Sequence, residues 1–315
     1  MTKEKILEFY NKAIQEGIPI SKIRYFRNYR DSEIELILNS KYPKVMMDLI
    51  LDYQFKLLTK NEQEQTVHYI NDAKNEQHAI GIYDIVSTGL ILSSGLATKI
   101  LEVLDKATIE AIPSIISLAL NYLFLMNPKA FEIMRIIGES TQEYSILCAT
   151  DIAKNLESLI HPEILEIIKI ASTTEGEEQC KLVNSMAKNR DVLSFDLAVE
   201  LITLASKIKK DKESLELMIS VSNNKLLDKH RYSTHYLVMM FEANTPESVL
   251  KIYNEAEQKT IDLKIQESKL KKDNELFWNA YKDRPTKTIK LLDMFESSEE
   301  ITPHTRIRKM GKTDE

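Results

Sequence analysis

Written in rows of 34 residues, the middle of this sequence falls into register with itself. Asn121, Asn155, Asn189 and Asn223 share one column, and four residues later Leu125, Leu159, Leu193 and Leu227 share another. A small column holds Ala119, Ala153 and Ala187, with Val221 following. Glu132, Glu166 and Glu200 align ahead of the apolar doublets Ile133-Met134, Ile167-Ile168 and Leu201-Ile202, and Ile136, Ile170, Leu204 and Val238 close the row. Tandem copies of this length are supersecondary units that cannot bury an apolar face alone and must stack on one another.

Each row reads as a helix hairpin. In the first helix of one copy Ile115, Leu118, Ala119 and Tyr122 take the i, i+3, i+4, i+7 spacing of a single helical stripe, and Ala149, Ile152, Ala153 and Leu156 repeat it in the next. Asn then falls at the end of the stripe. Its tolerance of the left-handed conformation that terminates helices predicts a cap or turn there. Second helices are expected to open at Asn127-Pro128, His161-Pro162-Glu163 and Ser194-Phe195-Asp196, because proline and acidic residues suit a first turn. Weaker copies extend the pattern over 42–72, 77–107 and 213–242.

The expected fold is all-α, a right-handed α-solenoid of about six helix hairpins with a period of about 34 residues. It occupies residues 41–244, behind an N-terminal short-helix module at 1–40. Val249, Tyr253, Ala256, Leu263, Leu270, Phe277 and Tyr281 mark one or two long capping helices within 245–295, and a polar tail at 296–315 is expected to be disordered.

Composition narrows the chemistry. Seven glycines and eight prolines serve all 315 residues, too few for turn-dense β architectures or glycine-cradled nucleotide sites. Cys148 and Cys180 cannot form a disulfide framework, which predicts a reducing, cytoplasmic setting. A net charge of −6 removes the general electrostatic argument for nucleic acid. Ala111 to Pro128 runs 18 residues without a charge, about the length of a membrane span. Pro113, Ser114, Asn121 and the repeat register divide it into two helices, so no span is expected. His230 and His235 are five apart, the wrong spacing for two ligands on one helical face, and Gly89 to Gly95 lacks the following Lys-Ser/Thr of a phosphate loop. No metal, cofactor or catalytic motif is expected.

Two surfaces stand out as candidates for a partner. Ser21 to Arg30 is a dense basic-aromatic cluster carrying Lys22, Arg24, Tyr25, Arg27 and Arg30, residue types that anchor interfaces and grip carboxylate or phosphate. The competing reading docks its aromatics onto the first hairpin and leaves the charges in water. On the second helices, Glu132 with Arg135 and Glu166 with Lys169 lie i, i+3, and Glu200 continues the row. They line a partner-binding face, or else they are solvated ion pairs of ~0.2–0.5 kcal/mol each. For the Asn column the reading as a turn residue bonding nearby backbone is favoured over a peptide-binding ladder.

The run from Glu143-Tyr-Ser-Ile-Leu-Cys-Ala-Thr-Asp-Ile-Ala-Lys-Asn155 to Leu165-Glu-Ile-Ile resembles the helical-hairpin repeats of many uncharacterised Firmicute and gut-bacterial proteins. The stretch Glu16-Gly-Ile-Pro-Ile-Ser21 through Arg30-Asp31-Ser32 is similar to a short repeat that accompanies them. More broadly, the hairpins look like HEAT-type or tetratricopeptide-like α-solenoids. The resemblance implies architecture and no assigned reaction. The expected function is a non-enzymatic helical-repeat scaffold for a protein or peptide. A nucleic-acid-binding HEAT-like solenoid and a secreted effector or phage inhibitor acting on a host protein are the alternatives. Oligomeric state is left open.

Overall fold

The computed structural model describes residues 3–18, 30–88 and 95–282, and these are helical with no strand among them. The chain divides into two compact units, Met1–Gln258 and Lys259–Glu315. The first unit opens with α1 (Lys3–Gln15) and α2 (Asp31–Asn39), then α3 (Pro43–Leu51), α4 (Tyr53–Leu57), α5 (Lys60–Asp72), α6 (Glu76–Ser87) and α7 (Ala97–Lys106). The repeated rows supply α8 (Ile112–Ala119), α9 (Tyr122–Leu125), α10 (Ala130–Glu139), α11 (Glu143–Lys154), α12 (Leu156–Leu159) and α13 (Ile164–Ser172). They continue with α14 (Glu177–Ala187), α15 (Arg190–Leu193), α16 (Ala198–Lys207), α17 (Lys212–Ser222), α18 (Lys225–Lys229) and α19 (Ser233–Glu242). A 37-residue helix, α20 (Pro246–Lys282), follows.

Corresponding helices of successive copies pack side by side: α8 on α11, α11 on α14 and α14 on α17, with α7 on α10, α10 on α13 and α13 on α16 beside them. Helices this short are marginal in water, so their stability comes from the apolar faces that they bury. Ala119, Ala153 and Ala187 are fully buried, and their small side chains let the stacked helices approach closely. Leu125, Leu159, Leu193 and Leu227 are buried in equivalent places, at the end of α9, α12 and α15 and within α18.

Stacked apolar faces can slide; directed bonds hold them in register. The last carbonyls of a helix have no partner within it, and here the preceding copy supplies one. The Ala73 carbonyl accepts from Lys41 Nζ at 2.7 Å and from the Tyr42 hydroxyl at 3.0 Å. Thr108 Oγ1 donates to the Ser140 carbonyl at 2.7 Å, Ser140 Oγ to Ser172 at 3.0 Å and Gln179 Nε2 to Ile208 at 3.1 Å. Lys74 and Lys210 do the same for Ala107 and Ala243. At this position a lysine also places positive charge at the negative end of a helix dipole.

Each row proves to hold three helices. After the first helix the chain breaks, and Asn starts a one-turn helix before the second long one. Oδ1 of Asn121 accepts from Phe124 N–H at 3.2 Å, that of Asn155 from Ser158 at 3.0 Å and that of Asn189 from Val192 at 3.0 Å. These are N-caps in extended backbone, with φ of −91°, −83° and −87°, so the expected left-handed conformation is replaced by the geometry that an N-cap side chain requires. In the fourth row the role slips by one residue: Asn223 ends α17 and Asn224 caps α18.

Two further expectations are corrected. Tyr122 and Leu156, placed on the buried stripe by spacing, open the one-turn helices and are 49% and 65% exposed. The break turns them away from the core. Pro128 and Pro162 stand two residues ahead of α10 and α13, in the preceding turn. In α20, the stripe residues Val249, Ala256 and Leu263 are buried, whereas Leu270 is mostly exposed. The uncharged stretch from Ala111 is split between α8 and α9, and no described helix is long and apolar enough to cross a membrane. Residues 283–295 of the expected cap and the tail at 296–315 lie outside the described residues.

Asn189 also donates from Nδ2 to the Ser222 carbonyl at 2.6 Å, whereas the caps at Asn121 and Asn189 otherwise match. Asn121→Ala should therefore cost about 1 kcal/mol and Asn189→Ala about 2–3 kcal/mol, read from urea denaturation.

His78 is buried on α6, its Nδ1 accepting from Lys74 N–H at 3.2 Å, and burial, followed by Lys74, lowers its pKa from 6.5 to about 4. A histidine depressed in the fold keeps its full contribution above the unfolded value and loses it as pH falls from 6.5 toward about 4. The denaturation midpoint of His78→Gln should accordingly drop less than that of the wild type between about pH 7.5 and about pH 5.

Candidate partner-binding surface

The expected second-helix row is present as a surface. Glu132 and Arg135 on α10, Glu166 and Lys169 on α13 and Glu200 on α16 are all exposed, on helices that pack side by side. Glu166 and Lys169 pair at 3.8 Å with both side chains more than half exposed, a geometry in which solvent screening leaves little net stabilisation. Arg135 borders a cavity of about 540 Å³ between α7 and α10, where Lys99 Nζ lies 5.9 Å from the Phe131 ring centre.

Of the basic-aromatic cluster, Lys22, Arg24, Tyr25 and Arg27 lie outside the described residues. Arg30 precedes α2 and is tied to Glu33, its backbone N–H donating to Oε2 at 2.7 Å and its guanidinium 3.3 Å from Oε1. Glu33 is thus engaged by its own helix terminus.

Between α11 and α14 runs a groove of about 350 Å³ lined by Tyr144, Leu147, Cys148, Asp151, Glu177 and Cys180 among others. Burial raises the Asp151 carboxyl, but Lys188 and the 2.8 Å bond from Asn184 Nδ2 outweigh it and hold the group below the usual range. Cys148 donates to the Cys180 carbonyl at 3.2 Å, and its bond with the Cys180 side chain together with burial pushes its thiol well above the ordinary value. A thiol held protonated is a poor nucleophile. Both cysteines are buried, as their apolar neighbours in the sequence imply.

The one-turn helices form a third surface, which spacing alone did not indicate. They are neighbours in space. Asn127 Nδ2, just after α9, donates to the Leu159 carbonyl of α12 at 3.0 Å, and His161 Nε2, just after α12, bonds the Leu193 carbonyl of α15 at 3.1 Å. His161 Nδ1 accepts from Glu163 N–H at 3.2 Å, so Nε2 carries the proton when the ring is neutral. Asp228 Oδ1 on α18 accepts from Asp191 N–H on α15 at 2.7 Å.

Along this edge Tyr122, Leu123, Met126, Leu156 and Ile160 are between 49% and 74% exposed. Together they offer on the order of 500 Å² of apolar surface, toward the upper end for a monomer's largest patch. The same edge then turns polar. Glu157, Arg190, Asp191, Ser194, Asp228, Lys229 and Arg231 line a cavity of about 320 Å³. Its two aspartates are engaged inward: Asp191 Oδ2 accepts from Thr234 N–H at 2.8 Å, and Asp228 holds the amide of Asp191. Burial pushes the Asp228 carboxyl up, partly offset by that amide. Arg190, Lys229 and Arg231 are exposed.

Arg231 sits at φ 61°, the left-handed residue that ends α18. Tyr232 N–H reaches the Leu227 carbonyl at 2.9 Å and Arg231 N–H the Asp228 carbonyl at 3.1 Å, the paired closure of a helix end that glycine ordinarily occupies. The signal that would have revealed this edge is Asn read as a start: Asn followed by Tyr122-Leu123, Leu156-Glu157 or Arg190-Asp191 is an N-cap signature as much as a stop.

Arg231→Gly should raise stability by about 1 kcal/mol in urea denaturation, since glycine adopts this conformation without the Cβ clash. No protein-family model matches the chain, and neither the curated proteins nor the solved structures include one similar to it.

Proposed function

We propose that this chain is a right-handed α-solenoid of about six stacked hairpins, a non-enzymatic scaffold that binds a protein or peptide partner. The observation that carries the reading is the contiguous edge of one-turn helices. Five large apolar side chains stand in water there, continuous with a charged cavity. Exposed apolar surface of that extent on a repeat protein is the usual mark of an interaction site. The carbonyl bonds between successive copies support the solenoid, because they recur at spacings of 29 to 33 residues along the first unit. Likeness to the Firmicute and gut-bacterial hairpin repeats belongs to the same reading. So does a cytoplasmic location, which the free thiols of Cys148 and Cys180 favour.

Partner capture from a lysate of the native host cell tests it. Wild type is set beside Leu123→Asp/Ile160→Asp, Glu166→Lys/Glu200→Lys and Arg24→Glu/Arg27→Glu. The expected result is a reproducible protein retained by wild type and lost from the Leu123→Asp/Ile160→Asp variant. If no protein is retained above bare matrix, the scaffold reading fails.

A further inference from the structure

The edge described above has two chemically different halves, and together they specify what can lie on it. The apolar half is Tyr122, Leu123 and Met126 on or beside α9, followed by Leu156 and Ile160 on or beside α12. Tyr122 and Leu156 occupy the same column, as do Met126 and Ile160, so apolar contacts recur at two positions from one copy to the next, while the column of Leu123 holds the exposed Glu157. The polar half begins one copy later with Arg190 on α15 and continues to Lys229 and Arg231 around α18. Asp191 and Asp228 share this cavity, but each spends a carboxylate oxygen on a backbone amide, and Asp191 is only 8% exposed. Of the charged groups that line it, Arg190, Lys229, Arg231 and Glu157 are exposed, so the cations outnumber the one fully exposed carboxylate, on a chain whose net charge is −6. Arg231 adds a separate argument. Arg231 stands at a backbone position that suits glycine, and strained positions of this kind cluster at binding and active sites.

We propose that the row of one-turn helices is a docking track for a protein segment carrying apolar side chains followed by carboxylates. The apolar residues seat on Tyr122, Leu123, Met126, Leu156 and Ile160, and the carboxylates reach Arg190 and Arg231. This rests on the partner-binding reading above and adds to it the chemistry and polarity of the partner. Stacked helices are spaced about 10 Å apart, and an extended chain advances about 3.3 Å per residue. Apolar anchors therefore recur about every third residue of the segment, and its acidic group follows about three to six residues beyond the contact on α12. Arginine suits the acidic end because its planar fork takes a carboxylate through two parallel bonds. A second copy of this chain fits less well. A two-fold contact opposes the row to itself, and of the carboxylates that could meet Arg190 and Arg231 two, Asp191 and Asp228, already hold backbone amides, which leaves Glu157 as the one exposed carboxylate of the row.

The test is a phage-displayed random dodecapeptide library panned against the immobilised full chain, with recovered peptides measured by fluorescence anisotropy. Recovered sequences should combine apolar residues with Asp or Glu, and their affinity should weaken as salt rises. Affinity should fall at least about tenfold for Leu123→Asp/Ile160→Asp and for Arg190→Glu/Arg231→Glu. The substituted side chains are exposed, and Arg231→Gly serves as the control for folding, since it should bind more weakly while melting no lower than wild type. Several results overturn the proposal. Peptides without acidic residues would do so, as would affinities unchanged in both double variants. Peptides displaced only by Glu166→Lys/Glu200→Lys would overturn the track while leaving a partner-binding scaffold in place. A failure to enrich any peptide would count against both. A sedimenting dimer that Leu123→Asp/Ile160→Asp dissolves would assign the row to a second copy instead.

Discussion

The first unit depends on a carbonyl at a helix end finding its donor in the neighbouring copy. Burial of Ala119, Ala153, Ala187 and the Leu125, Leu159, Leu193 and Leu227 column supplies the larger driving force, but apolar burial is non-directional. It would tolerate a stack displaced by a turn. The bonds from Thr108 to Ser140, from Ser140 to Ser172 and from Asn189 to Ser222 would not. Each satisfies a group that would otherwise be buried without a partner, at a cost of about 1–3 kcal/mol. One set of side chains thereby closes helix ends and sets the register of stacking.

The same economy explains the candidate binding edge. Breaking each row at Asn creates extra helix termini, and the chain satisfies them with the Asn Oδ1 on one side and with Asn127 or His161 of the preceding copy on the other. Because a one-turn helix has too little surface to bury all its residues, some must face water. In α9 and α12 those residues are Tyr122, Leu123, Leu156 and Glu157, with Met126 and Ile160 just beyond, and in α15 and α18 they are charged. An apolar surface next to a basic one thus follows from a device whose first role is structural. The second-helix row of Glu132, Arg135, Glu166, Lys169 and Glu200 offers a different surface, polar throughout and open to solvent.

Much of the fold was legible because repeats amplify weak signals. A single apolar stripe is ambiguous, but four aligned copies placed the hairpins, the small column and the buried leucines. The one-turn helices were missed because four residues cannot display a period, and the continuous spacing from Ile115 to Tyr122 reads through the break. Asn223 shows the limit from the other side: identical in its column, it has ceded the capping role to Asn224. The candidate edge is hidden for the same reason, since spacing alone points Tyr122 and Leu156 inward along a periodicity that stops two or three residues earlier.

What the amino-acid sequence determined by itself is the helical class, the period and the shared columns of small and leucine residues that are buried, all of which follow from local spacing of apolar side chains. Tertiary structure alone decided which carbonyl each polar side chain caps and which apolar residues end in water. Those outcomes depend on groups about 30 residues apart meeting across a junction, and no local pattern encodes that meeting.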